Sequence, residues 1–130
     1  AVGARAGCLH SQGTGATLSC NGSTLVAADD LTLVVEGARA AQPTLFLQGA
    51  SSIATPFRDG LLCVGNPTER LEVATLDASG AAQSAQSIVT NGAVPGPGRT
   101  RVYQAWFRDP GASPCGTGSN FTNAVLVRWR

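Results

Sequence analysis

His10 is the single histidine in a chain of 130 residues. A hydrolase triad needs a nucleophile, an imidazole base and an orienting carboxylate. His10 lies between Cys8 and a glycine-containing stretch at 12–15, and no Gly-x-Ser-x-Gly elbow occurs anywhere. Glycoside hydrolysis needs two carboxylates facing each other across a cleft. Glu36, Asp59, Glu69, Glu72 and Asp109 are present, but spacing pairs none of them. Arg70 beside Glu69 and Arg108 beside Asp109 read as ordinary ion-pair partners. The glycines of 111–118 lack the lysine and the following helix of a phosphate loop. Asp29-Asp30, or Asp59 with Asn66, offers hard oxygen ligands for calcium, without EF-hand or nonapeptide spacing. The plainer reading of Asp29-Asp30 is an Asx turn leading into the strand that follows. The expectation is a protein that is not an enzyme, with no cofactor and no metal.

What remains is the chemistry of binding. In the stretch 100–108, Val102, Gln104, Trp106 and Arg108 share one face of a strand, and Arg101, Tyr103, Ala105 and Phe107 share the other. Both faces carry aromatics, so one set lies outside the main core. Gln104, Trp106 and Arg108 form a candidate sugar platform, an aromatic ring with amide and guanidinium donors beside it. The same three residues equally suit a second buried face covered by a loop or a neighbour. The chain has two Trp, one Tyr and four Phe, and most of these are needed inside. Asn21-Gly-Ser23 and Asn120-Phe-Thr122 match the N-glycosylation pattern, whereas Asn66-Pro-Thr68 is excluded by its proline.

These residues must be positioned by one domain, because 13.2 kDa is too small for two. The chain is 43% hydrophobic and 13% charged, against roughly 25% charged in an average soluble domain. The net charge is +1, and all nine basic residues are arginine. Nucleic acid is therefore excluded as a partner on electrostatic grounds. No apolar run reaches the roughly 20 residues that span a membrane as a helix, and the apolar content is too high for a disordered chain. The opening Ala-Val-Gly-Ala reads as a processed, exported chain, secreted to the exterior or cell surface. Cys8, Cys20, Cys63 and Cys115 have no metal-ligand spacing, so two disulfides in an oxidising compartment are expected. Of the three possible connectivities, Cys8–Cys20 and Cys63–Cys115 are favoured, worth about 3 and about 4 kcal/mol in the loop-entropy picture.

Apolar runs are short, rich in Val, Leu and Thr, and broken every 8–12 residues or so, which predicts an all-β, antiparallel β-sandwich (Ig-like or jelly-roll-like) of about 8–9 strands. Strands are expected at 16–20, 24–27, 31–36, 44–48, 61–64, 70–76, 83–90, 100–108 and 123–130. Leu31, Leu33 and Val35 alternate with Thr32, Val34 and Glu36; Val125, Val127 and Trp129 alternate with Leu126, Arg128 and Arg130. Asp77-Ala-Ser-Gly80 predicts a hairpin turn between 73–76 and 83–90. Residues 1–15 form an N-terminal segment, possibly exchanged with a neighbouring subunit, ahead of a single sandwich at 16–130.

The runs Gly60-Leu-Leu-Cys-Val-Gly65, Arg70-Leu71, Tyr103-Gln-Ala-Trp-Phe-Arg-Asp109 and Cys115-Gly-Thr-Gly-Ser-Asn-Phe-Thr-Asn-Ala124 carry a resemblance. Over about residues 24–130 the chain resembles an uncharacterised β-sandwich domain of secreted proteins from environmental bacteria. The resemblance implies export and a sandwich fold, and supplies no catalytic residues.

Two functions fit this sequence. One is the structural subunit of an extracellular filament or surface assembly, polymerising non-covalently with itself. Low charge weakens repulsion between copies, and edge strands or the small residues Ala1, Val2, Gly3, Ala4, Arg5, Ala6 and Gly7 would make the contacts. With no lysine, isopeptide crosslinking is ruled out. The alternative is a carbohydrate- or surface-binding module with polysaccharide as its partner.

Overall fold

The computed structural model describes residues 15–57, 60–109 and 118–130. The chain runs β1 (Thr17–Asn21), β2 (Thr32–Glu36), β3 (Pro43–Phe57), β4 (Gly60–Thr75), β5 (Ala82–Gln83), α1 (Ile88–Asn91), β6 (Thr100–Arg108), β7 (Ser119–Phe121) and β8 (Val125–Arg128). Every strand pairing is antiparallel. A three-stranded sheet has the order β1-β2-β5. A larger sheet has the order β4-β3-β6-β7, with β8 pairing β6 beyond the end of β7. The protein is thus all-β, with two sheets sharing one core.

The alternations expected for β2 and β8 set that core. Leu31, Leu33 and Val35 are buried while Glu36 is exposed; Val127 and Trp129 are buried while Leu126, Arg128 and Arg130 are exposed. From the small sheet Leu18, Leu33 and Val35 meet Phe46, Leu71, Tyr103, Ala105, Phe107, Val127 and Trp129 of the larger one in a single cluster. Asn123 joins the sheets at their margin. Its side chain accepts from Leu18 N at 2.7 Å and donates to Leu18 O at 3.1 Å, occupying backbone groups of an edge strand.

A second buried layer lies on the opposite face of the large sheet. In β6, Val102 and Gln104 point away from Tyr103 and Ala105, yet both are buried. The cover is the far half of the β3–β4 hairpin. Among the described residues β4 forms a strand ladder with β3 only, but it also contacts β6 and β7, so it folds back across them. The bend passes Gly49, where a Cβ would sit 2.7 Å from Gly65 N and 2.8 Å from Val64 Cβ. Only glycine permits backbones to approach this closely. Cys63, Val64, Val102 and Phe121 are all buried in this layer and lie outside the main cluster.

Several expectations are corrected. Residues 24–27 are not a strand but a turn, because Val26 N and Thr24 O pair with Arg130 at the chain end. The stretch 83–90 is not one strand: β5 is two residues long, and Ser87 then caps the single turn α1 by accepting from Thr90 N at 2.9 Å. The segments 61–64 and 70–76 belong to one long strand, and the three-residue β7 was not foreseen. Asp77–Gly80 is a turn, but it carries the chain from the large sheet to the small one, since β4 pairs β3 and β5 pairs β2. No disulfide is present among the described residues. Cys20 packs beside the main core as a small apolar side chain, and Cys63 is a buried residue of the hairpin arm itself. Cys8 and Cys115 lie outside the described residues.

Candidate functional site

Cross-strand register builds a row of apolar side chains on the outer face of the large sheet. Leu45 pairs Val73 on one side and Trp106 on the other, and Trp106 pairs Phe121. Neighbours opposite one another in adjacent strands lie on the same face. Phe121 is roofed by the hairpin arm, whereas Trp106 and Leu45 are half-buried and Val73 is 67% exposed. The row therefore emerges from under the arm and runs open to solvent. Thr44, itself buried, donates from Oγ1 to Trp106 O at 3.0 Å and locks β6 to β3 at this point.

An open groove of about 440 Å³ follows the exposed part of the row. Pro43, Leu45, Val73 and Trp106 give it an apolar floor, and Arg70 and Arg108 stand at its margins. Arg70 pairs Leu47, one row from Leu45 toward one end of the strands; Arg108 lies two residues beyond Trp106 toward the other end. The Trp106 indole N–H is buried and has no hydrogen-bond partner among the described residues. Such a donor costs about 1–3 kcal/mol, a local departure from polar satisfaction of the kind found beside functional sites.

Glu72 also lines the groove, but among the described residues neither arginine forms an ion pair with a carboxylate. Glu72 accepts from Ala85 N at 3.0 Å and from Gln86 N at 2.9 Å, so its charge holds the loop before α1. Glu69 pairs Gln48, whose side chain is directed inward, and so it lies on the face opposite Arg70. Asp109 is fully buried and meets Arg39 at 3.4 Å. The expected pairs Arg70–Glu69 and Arg108–Asp109 are therefore absent among the described residues.

The three residues of the expected β6 platform are divided between groove and interior. Trp106 and Arg108 line the groove, but Gln104 does not, because it is fully buried. Its Oε1 accepts from Cys63 N at 2.9 Å and its Nε2 donates to Thr122 O at 2.8 Å, so it fastens the arm to β6. The covering element that the sequence left open is the chain's own hairpin. Arg70, Leu45 and Val73 were missed as groove residues. The signal for them was the apolar pattern on both faces of Thr44-Leu-Phe-Leu-Gln48, legible only once the register is known.

The calcium candidates are engaged elsewhere. Asp30 accepts from Ser23 Oγ at 2.7 Å and Ser23 N at 3.0 Å, bonds that hold its carboxyl below the usual range. Asp29 accepts from Ser87 Oγ at 2.6 Å. Asn66 is exposed, and Asp59 lies outside the described residues. Asn120 and Thr122 are buried, which closes that sequon in the folded chain, while Asn21 is exposed. His10 and the assembly candidates Ala1 to Gly7 lie outside the described residues. No family model, curated protein or solved structure matches the chain.

Proposed function

We propose that the chain is a secreted, non-enzymatic binding module that holds a carbohydrate or surface ligand in the Trp106 groove. The observation that carries this reading is a half-buried indole set in an open sheet face, with Arg70 and Arg108 at its margins and, among the described residues, no carboxylate in an ion pair with either. Flat apolar rings suit the C–H faces of sugars, and guanidinium forks suit oxygen acceptors. Export is supported by the composition and by the resemblance to secreted bacterial sandwiches.

The test uses intrinsic fluorescence. The chain has two tryptophans, and Trp129 is buried in the main core, so a ligand in the groove perturbs Trp106 alone. Titration with a panel of polysaccharides is expected to give a saturable change, and Trp106→Ala is expected to weaken binding about tenfold or more. Trp106→Phe is the fold-preserving partner. It deletes the unpartnered N–H, so its stability should equal or exceed wild type by up to about 1 kcal/mol. Binding of every glycan unchanged in Trp106→Ala, or no binding at all, would sink the reading.

Self-assembly into a filament or surface layer is the second reading. It is supported by the near-neutral charge, the exposed stretch 66–70 along the outer edge of β4, and the exposed Leu126. Discrete monomers in negative-stain images of concentrated protein would exclude it.

A further inference from the structure

We infer that the ligand of the groove is a polyanionic carbohydrate, a chain of pyranose units bearing carboxylate or sulfate groups. This rests on the binding reading above and narrows its ligand. The first ground is charge. The whole chain carries only +1, yet Arg70 and Arg108 are both solvent-exposed at one 440 Å³ groove. Of their three acidic neighbours, Glu69 is turned to the opposite face, Asp109 is buried against Arg39, and Glu72 lines the groove while accepting from Ala85 N and Gln86 N. The groove thus sets two exposed guanidinium groups against one lining carboxylate, Glu72, which is already held by two backbone N–H groups; the balance is positive, and oxyanions are the complementary ligand.

The second ground is layout. The two arginines stand on opposite sides of the Val73–Leu45–Trp106 row, one on β4 and one on β6. At two residues per row they are about 13 Å apart along the strands. A single small anion engages one of them. A chain lying across the indole presents charges on successive units to both. The apolar row between them favours the C–H face of a sugar ring over an acidic peptide, which has no such flat repeating surface.

Four further arginines lie at the far end of the sheet: Arg99 and Arg101 at the start of β6, and Arg128 and Arg130 at and beyond the end of β8, with Arg101 and Arg128 on opposite faces. This end offers no comparable aromatic floor. Arg130 donates from Nε to Thr24 Oγ1 at 3.1 Å, and Arg101 donates to Thr100 O at 3.0 Å. This end serves as the internal control.

The experiment compares four probes, a polyuronate, a sulfated polysaccharide, a neutral polysaccharide and poly-glutamate, against wild type, Arg70→Gln/Arg108→Gln and Arg128→Gln. Both groove arginines are exposed, so the double variant is expected to melt with wild type, and Arg70→Glu provides a second reading of the same charge. Wild type is expected to bind the charged chains at least about tenfold more tightly than the neutral one, with affinity falling as salt rises. The double variant should lose about tenfold or more, and Arg128→Gln less than about twofold. Equal affinity for the neutral chain, retention of binding by the double variant, or equally tight binding of poly-glutamate would each overturn the inference. Trp106-dependent binding of neutral glycans as tight as that of the charged chains overturns this inference and leaves the binding reading standing; absence of binding to any glycan overturns both.

Discussion

Tyr103→Phe is expected to lower stability by about 2–5 kcal/mol, although it removes a single oxygen. That oxygen is the middle of a buried relay. Trp129 Nε1 donates to Tyr103 Oη at 2.9 Å, Tyr103 donates to Gln48 Oε1 at 2.8 Å, and Gln48 Nε2 donates to Gly92 O at 2.8 Å. Trp129 and Tyr103 are fully buried and Gln48 nearly so. Without the hydroxyl, a buried indole N–H loses its acceptor and a buried amide oxygen loses its donor. Denaturant unfolding measures the loss; a value below about 1 kcal/mol would show that these groups find other partners. The same residue governs alkaline stability. Burial pushes the Tyr103 hydroxyl up to about 12, with the Trp129 bond and the nearby Arg101 charge pulling the other way. The folded chain keeps this proton where the unfolded chain releases it. The stabilisation is complete below about pH 10 and is lost toward about pH 12, by up to about 1.4 kcal/mol per pH unit. With one tyrosine and no lysine in the sequence, few other groups titrate there. Tyr103→Phe should flatten this slope, and an unchanged slope would contradict the assignment.

The second large effect is expected at the corner between the sheets. Gly80 has φ +78°, and a Cβ there would fall against the carbonyl oxygen of Ala38, with the carbonyl carbon at 2.8 Å. Ala38 N meanwhile donates to Gly80 O at 3.0 Å, so the two backbones cannot part without breaking the corner. Asp77 braces it, accepting from Ser79 Oγ at 2.7 Å, Ser79 N at 2.8 Å and Ala81 N at 3.0 Å; these bonds hold its carboxyl below the usual range. Gly80→Ala combines left-handed backbone strain with overpacking, at a total of about 2–5 kcal/mol. Gly98 separates the two causes. Its φ is +87°, but nothing lies within 4 Å of an added Cβ. Gly98→Ala should cost only the backbone term, about 1–2 kcal/mol. Equal losses for the two variants, measured by denaturant unfolding, would mean that the Ala38 contact yields freely.

The faces of individual strands were legible because alternation is local. Leu33 and Val35, and Val127 and Trp129, announced their side of the sheet with no knowledge of partners. Whatever depended on long-range pairing was not legible. Residues 24–27 look like a strand, but Leu25 is 45% exposed and the segment's bonds go to Arg130, more than a hundred residues away. The turn chemistry of Asp77 and Gly80 was right, but a turn does not specify which sheet receives the next strand. The candidate site shows the same division. Trp106 and Arg108 follow from one strand's periodicity. Arg70 enters only through the β3–β4 register, and Gln104 leaves only because an arm bent at Gly49 covers it. The cysteines were read from compartment chemistry, which bears on Cys20 and Cys63 less directly than their burial does.

The central claim is that ligand lies across Trp106 between Arg70 and Arg108. Amide and indole chemical-shift mapping during titration with a polyuronate tests it most directly. The account predicts shifts concentrated at residues 43–45, 70–73 and 106–108 and at the Trp106 indole, with the Trp129 indole unmoved. Shifts gathered instead around Arg99, Arg101, Arg128 and Arg130 would contradict it.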